Sequence, residues 1–247
     1  MTLTRRTCLA LAAIPFAADA SSPEVVIALD TQNPPFMYAD RDGQPHGLYA
    51  LLLRTLFARL DLPMRLVCLP WPRALAGLDR AEHGVGGIYS TVERQARHDF
   101  TQALYVETIM VYTRRGGLSL FDRIDDLRGL RVGVLRGWSY GDGFDAAARA
   151  GLFQAEPVSS DSQNFGKLER GFLDVAVAIE QSGDALLATG DYPSVRALPN
   201  PMTENPTYLA FNKSAQQKAL IARFDEQLEK LRRNGEHARI VALGLRD

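Results

Sequence analysis

Leu48-Tyr49-Ala50-Leu51-Leu52-Leu53-Arg54-Thr55-Leu56-Phe57-Ala58-Arg59-Leu60 runs into Asp61-Leu62-Pro63 and then into Met64-Arg65-Leu66-Val67-Cys68-Leu69. Leu48, Leu52, Leu56 and Leu60 recur every four residues, with Leu51, Leu53 and Phe57 alongside, which predicts a helix whose wide apolar stripe docks on a sheet. Asp61-Leu62-Pro63 stops it, and the run from Met64 to Leu69 reads as a strand. Toward the N-terminus, Val25-Val26-Ile27-Ala28-Leu29 is a short apolar run rich in β-branched residues, followed by Asp30 and a breaker cluster through Pro34-Pro35; it reads as a buried strand entering a loop. Toward the C-terminus, Pro72 to Ala81 reads as a helix begun by proline and Val85 to Ile88 as a third strand. Strand, helix, strand, helix, strand implies a parallel sheet with right-handed crossovers.

The pattern restarts after the polar linker Arg114-Arg115-Gly116-Gly117. Leu130 to Leu135 reads as a strand, Asp142 to Ala150 as a helix, Ala155 to Ser159 as a strand, Ser162 to Arg170 as a helix and Asp174 to Ile179 as a strand. Two α/β units in one chain predict two lobes. Further strands over Thr108 to Thr113 and Thr207 to Phe211 sit where the chain could pass between the lobes and back. Leu220, Phe224, Leu228 and Leu231 mark a final amphipathic helix ending near Asn234-Gly235.

The chain has 247 residues, 46% hydrophobic and 23% charged, enough for one large core or two modest ones. With 28 basic and 29 acidic residues spread along it, no basic stripe suggests nucleic acid as a partner. Arg5 and Arg6, an apolar stretch from Cys8 to Ala18, and Ala18-Asp19-Ala20 before Ser21 read as an export signal over residues 1–20, which places the mature protein in the periplasm. The paired arginines leave the export route open. No later segment reaches the ~18 uninterrupted apolar residues of a membrane span. Cleavage would leave Cys68 without an internal disulfide partner, and its apolar neighbours suggest a structural thiol. His46, His83, His98 and His237 lack ligand spacing, so neither a metal nor another cofactor is expected.

Gly86-Gly87-Ile88-Tyr89-Ser90-Thr91-Val92-Glu93-Arg94-Gln95 ends an apolar run in small and hydroxyl residues and then delivers an arginine. Backbone N–H groups freed by glycine, the hydroxyls of Tyr89, Ser90 and Thr91, and the planar five-donor guanidinium of Arg94 suit a carboxylate. Taken alone, the stretch reads first as a strand, a turn and a surface Arg-Glu pair, and it is the rest of the chain that favours the carboxylate site.

Across the mature region the chain resembles the family 3 periplasmic solute-binding proteins, the polar amino-acid binders that feed ABC transporters. Asp30 with Pro34-Pro35-Phe36 is similar to the family's opening strand and P-P-F, and Asp42-Gly43 with Gly47 to the turn before its first helix. Gly87, Thr91, Glu93 and Arg94 resemble its T-x-E-R block, and Phe100-Thr101 with Leu104-Tyr105 its D-F-[ST] and P-Y-Y. Leu127-Arg128-Gly129-Leu130-Arg131-Val132-Gly133-Val134 is similar to its L-K-G-K-x-V-G-V, Gly171 with Asp174 to its G-R-x-D, and Asn234-Gly235 with Ile240 to its C-terminal D-G-x-x-x-x-I.

The resemblance implies a type II periplasmic-binding-protein fold: two α/β lobes, each a mostly parallel sheet flanked by helices, joined by two hinge crossings. Residues 21–110 and 212–247 would form the first lobe and 111–211 the second. Arg94 would take the carboxylate of a small ligand, supported by Gly87 and Thr91. Ser139 would offer a helix N-terminus to the same anion. Trp71 and Phe36 would wall the ligand's body, while Asp30 and Glu180 are candidate polar contacts. Two departures shape the expectation. Amino-acid binders place an acid for the α-ammonium eight residues after the glycine of G-R-x-D, where this chain has Ile179; Glu180, next along, would face away unless the strand ends there. Tyr89 stands where the family commonly has Ser or Thr, which predicts a smaller or reshaped pocket. The expected protein is a monomer that delivers a carboxylate-bearing solute, and not necessarily a standard α-amino acid, to an ABC permease in the inner membrane.

Two enzyme readings compete. Gly137-Trp138-Ser139-Tyr140-Gly141 fits a G-x-S-x-G nucleophile elbow, with His83-Gly84-Val85-Gly86-Gly87 as an oxyanion-hole motif and Asp191 and His237 completing a triad order. Alternatively, a dehydratase acting on cyclohexadienyl carboxylic acids could keep the fold, with Arg94 on the carboxylate and Asp30 or Glu180 donating a proton to a leaving hydroxyl.

Overall fold

The computed structural model describes residues 24–246; the predicted export signal lies outside them. The first half contains β1 (Val25–Asp30), β2 (Gln32–Asn33), β3 (Met37–Ala39), β4 (Pro45–His46), α1 (Leu48–Leu60), β5 (Met64–Leu69), α2 (Trp71–Asp79), β6 (Gly84–Tyr89), α3 (Val92–Arg97), β7 (His98–Phe100) and β8 (Tyr105–Arg114). The second contains β9 (Arg131–Leu135), α4 (Asp142–Arg149), β10 (Gln154–Val158), α5 (Asp161–Glu169), β11 (Val175–Ile179), α6 (Glu180–Ala188), β12 (Val195–Asn212), α7 (Lys218–Arg233) and α8 (Glu236–Gly244).

The opening helix and strand occupy their predicted spans. Helix α1 ends because Asp61 turns left-handed at φ 51°, its N–H reaching the Ala58 and Phe57 carbonyls. The stripe of α1 is fully buried at Leu48, Leu52, Leu53 and Leu56. Strands β5 and β6 flank β1 in parallel register, and β10 and β11 flank β9 in the same way. Two α/β units with parallel cores are therefore present.

The units join edge to edge. The nine-stranded sheet runs β10-β9-β11-β8-β12-β6-β1-β5, with β7 also paired to β12. Strand β8 pairs antiparallel with β11 along Ile109 to Thr113, and β12 pairs antiparallel with β6 along Thr207 to Ala210. The β8–β12 ladder thus forms the seam that both lobes share.

Strand β12 is much longer than predicted from Thr207 to Phe211. Prolines are strand breakers, yet the ladder absorbs Pro199 and Pro201 at register shifts between Ala197 and Pro201 and between Pro201 and Thr203, and it keeps Pro206 in register with Val106. Helix α6 was not predicted either. It carries Gly183, where a Cβ would stand 2.1 Å from Tyr112 Oη; close packing requires the glycine that weakens the helix signal.

Candidate functional site

Hydrogen bonds tie the lobes across a cleft at the C-terminal ends of β1 and β9. Trp71 Nε1 donates to the Gly137 carbonyl (3.2 Å), Trp138 Nε1 to Asp30 Oδ2 (3.3 Å), Ser182 Oγ to the Pro34 carbonyl (2.8 Å), and Val92 N to Asp142 Oδ1 (3.4 Å). The two indoles face each other with centroids 5.8 Å apart and planes inclined at 46°. A cavity of about 270 Å³ lies there, lined by Asp30, Gln32, Trp71, Leu135, Trp138 and Ser159 among others. The size and the mix of an apolar wall with a few polar groups suit a small molecule.

Asp30 and Trp71, both singled out in the sequence, therefore share this cavity. Asp30 ends β1 and is 7% exposed. Burial raises its carboxyl pKa above the usual aspartate value, against the lowering effect of the Trp138 indole and neighbouring N–H groups. Trp71 opens α2, where Pro70 and Pro72 fix the helix start and hold its ring at the cleft edge.

Arg94 sits on the short helix α3, which Thr91 caps by accepting from the Arg94 N–H at 3.2 Å. Among the described residues the Thr91 hydroxyl donates to no acceptor. Guanidinium Nη1 donates to the Tyr89 carbonyl at 2.9 Å, and among the described residues no ion pair involves Arg94. Burial pulls its pKa below the ordinary arginine value, opposed by the negative field of Asp145 on α4, in the other lobe. The side chain is half-buried, on a helix whose first residue, Val92, bonds Asp142 of the other lobe, and it is not among the residues that line the indole-lined cavity.

Other expected residues lie elsewhere. Phe36 was expected as a cleft wall but is 0% exposed, its ring stacked on Tyr49 at 6.0 Å and tilted against Tyr105. It is a core aromatic, because the chain folds back after Pro34-Pro35 and inserts it between α1 and β8. Gly87 lies within buried β6 at φ 72°, where a Cβ would come 2.6 Å from the Tyr49 ring. Packing against Tyr49 thus accounts for the glycine.

Tyr89 does not offer its hydroxyl to the cleft. It donates to Glu107 Oε2, while Tyr49 donates to Glu107 Oε1 at 2.5 Å and lies 2.8 Å from Thr207 Oγ1. Glu107 projects from β8 at the seam between lobes and is 1% exposed. Burial lifts its pKa to about 7 even though both phenols favour the ionised form.

Ser139 is buried beside the start of α4, but its hydroxyl donates to Asp145 Oδ2, and Tyr140 N donates to Asp145 Oδ1 at 3.1 Å. Asp145, with Asp142 in the same first turn, meets the donors that were expected to receive a ligand anion. No triad forms around Ser139: His237 contacts the Leu104 carbonyl at 2.8 Å, and Asp191 sits in an exposed turn. Strand β11 does end at Ile179, and Glu180 becomes the first residue of α6, half-buried. Cys68 is a half-buried free thiol whose pKa burial lifts to about 11.

Trp138, Glu107, Asp161 and Ser182 were missed. The indole stood beside the serine on which the elbow reading fixed, and Ser160-Asp161 is an N-cap followed by an acid, one residue before the predicted helix start.

Residues 25–242 match the family described as bacterial extracellular solute-binding proteins, family 3. The chain is 23% identical over 179 residues to the L-cystine-binding protein TcyJ of Escherichia coli (strain K12), covering 68% of this chain and 66% of that protein. Its fold is similar to a histidine kinase sensor domain with similarity to periplasmic binding proteins (TM-score 0.79, 21% identity, 91% of this chain and 97% of the other). An ancestral arginine-binding protein bound to arginine gives a TM-score of 0.77 at 18% identity, over 91% of this chain and 99% of that one. The ancestral amino-acid-binding protein AncCDT-1, a precursor of cyclohexadienyl dehydratase, gives 0.74 at 18% identity, over 90% and 95%.

Proposed function

The chain belongs to the bacterial extracellular solute-binding proteins, family 3, and on that premise we propose that it captures a small carboxylate-bearing solute between its lobes. The solute is an amino acid or a related organic acid. Residues 21–110 with 212–247 form one jaw and 111–211 the other, and closure holds the ligand without covalent chemistry. The protein is exported to the periplasm through a signal over residues 1–20, acts as a monomer and hands its ligand to an ABC permease.

Arg94 is the observation that carries this reading: a half-buried guanidinium with no ion-pair partner among the described residues, on a helix that meets the opposite lobe through the Val92–Asp142 hydrogen bond. A guanidinium–carboxylate pair in open water contributes about 0–1 kcal/mol, whereas a bidentate pair in a cleft freed of water is stronger and fixes orientation. Thr91 supplies a hydroxyl beside it, and Trp71 and Trp138 supply flat apolar surface for the ligand's body. Ligands named for relatives, cystine and arginine, set the first compounds to try.

A thermal-shift screen of amino and organic acids on the mature protein, followed by calorimetry of each hit, tests the proposal. Arg94→Ala should abolish binding while the unliganded melting temperature stays within a few degrees; a hit that the variant binds equally well refutes the role of Arg94. The dehydratase reading shares Arg94 and is separated by incubation with prephenate or arogenate, which a binder returns unchanged.

A further inference from the structure

The cross-strand register places Tyr89 of β6, Thr207 of β12 and Tyr105 of β8 in one row across the seam. Glu107 stands two residues farther along β8, on the same face as Tyr105, and α1 brings Tyr49 onto it. Both phenols donate to its carboxylate, one to each oxygen. Tyr49 Oη also lies 2.8 Å from Thr207 Oγ1, and Thr207 Oγ1 donates to the Tyr105 carbonyl at 3.0 Å. Tyr89 has no such second acceptor: among the described residues its hydroxyl meets only Glu107 Oε2.

This asymmetry decides where a proton on Glu107 goes. An ionised carboxylate accepts from both phenols, whereas a protonated one keeps one acceptor oxygen and turns the other into a donor. A proton on Oε2 would face a Tyr89 hydroxyl with no other acceptor. A proton on Oε1 is donated to Tyr49, which passes its own hydrogen to Thr207, and Thr207 already donates to the Tyr105 carbonyl. The network therefore takes the proton on the Tyr49 side. Tyr89 then keeps an ordinary hydrogen bond in place of a charge-assisted one, which is about twice as strong.

Tyr89 carries that change to the cleft. Its ring stands edge-on to the Trp138 indole of the other lobe, with centroids 6.1 Å apart and planes at 89°, and its carbonyl accepts from Arg94 Nη1. Trp138 in turn meets Trp71 and donates to Asp30. Glu107 faces Tyr49 from α1, Tyr89 from β6 and Tyr105 on its own strand, while β12 presents the uncharged Thr207 and its register partner Asn205. Among the described residues no lysine, arginine or histidine pairs with it, and burial lifts its pKa to about 7.

We propose that Glu107 is a positioning residue for the cleft: ionised, it fixes the Tyr89 ring against Trp138 of the opposite lobe, and protonated, it slackens that hold. The proton content of the seam then sets how firmly the lobes meet. This goes beyond the solute-binding reading and takes from it only that the cleft is the site.

Trp71 and Trp138 are the chain's two tryptophans and both line the indole-lined cavity, so intrinsic emission reports the cleft. Unliganded mature protein titrated from pH 8.5 to 5.5 should show a red shift with its midpoint near 7, as Trp138 gains solvent. Glu107→Gln and Tyr89→Phe should abolish the shift, the first by removing the titrating group and the second by cutting its link to the indole while keeping the ring. Tyr49→Phe takes a phenol from the same carboxylate but should keep the shift, at a higher pH, because the ionised form loses one hydrogen bond. The proposal is overturned by a shift that is absent from wild type or that disappears in Tyr49→Phe. A shift that survives undiminished in Glu107→Gln or Tyr89→Phe belongs to Asp30 or Asp161 and overturns it equally. No ligand enters the titration, so the expected result stands even where no solute is found, and a failed titration leaves the role of Arg94 untouched.

Discussion

Replacing Glu107 by glutamine should stabilise the unliganded protein at pH 8 and leave it little changed at pH 5. Glu107 is buried at the seam of β8 and β12, accepts from Tyr49 and Tyr89, and has no cation beside it among the described residues. Its pKa rises from 4.5 in the unfolded chain to about 7 in the fold. The folded state then holds the proton more tightly than the unfolded state. Stability from this group is complete below pH 4.5, falls as pH rises through 7, and is level above that. A rise from 4.5 to about 7, at about 1.4 kcal/mol for each pH unit, gives roughly 3–4 kcal/mol of pH-dependent stability as an upper bound. Glutamine removes the titration but keeps one carbonyl for a phenol, while its amide must use the oxygen of the other. A net gain of about 1–2 kcal/mol at pH 8 is therefore expected once the imperfect amide geometry is included. For a domain of this size that is a rise of roughly 2–8 °C. Melting curves of wild type and Glu107→Gln at half-unit steps from pH 5 to 8.5 read it directly. Curves that run parallel across the whole range refute the reasoning, because they mean that Glu107 holds the same protons folded and unfolded.

Asp161→Asn should flatten the same pH profile, since burial lifts the Asp161 pKa in the same direction; melting across pH 5 to 8.5 checks it. Phe36→Ala should destabilise by about 3–5 kcal/mol, as expected of a fully buried core aromatic, whereas a change below about 1 kcal/mol in urea denaturation would contradict its placement. Gly87→Ala forces a side chain against the Tyr49 ring at positive φ and should lose about 1–3 kcal/mol by the same assay. Ser139→Ala should change no hydrolysis of p-nitrophenyl esters above background, because His237 is held elsewhere by the Leu104 carbonyl.

Regular periodicity made α1, β5 and both parallel strand triplets legible. Each element there buries a continuous apolar stripe, so the pattern that stabilises it is also the pattern that reveals it. Long-range packing hid the rest. Prolines in Val195–Asn212 mark a loop in any local reading, but the partner β8 supplies a ladder that tolerates them. Gly183 weakens α6 locally while admitting Tyr112.

The candidate site divides in the same way. Asp30 and Trp71 were visible because they occupy a strand end and a helix start, where the chain turns toward the cavity. Phe36 and Tyr89 were misplaced because adjacency to a motif does not say which face a side chain takes. Phe36 packs into the core, and Tyr89 turns to Glu107, a partner 18 residues away. Asp161 and Ser182 were invisible for a different reason: the cavity they share with Gln32 and Pro34 of the opposite lobe does not appear in the local sequence.

The central claim is that Arg94 grips a carboxylate between the lobes. A crystal structure of the protein with the acid that raises its melting temperature most is the direct measurement. The account predicts the ligand's carboxylate oxygens within hydrogen-bonding distance of the Arg94 guanidinium, with Trp71 or Trp138 against its body. A ligand seated away from that guanidinium, or an Arg94 side chain turned out of the cleft, would contradict it.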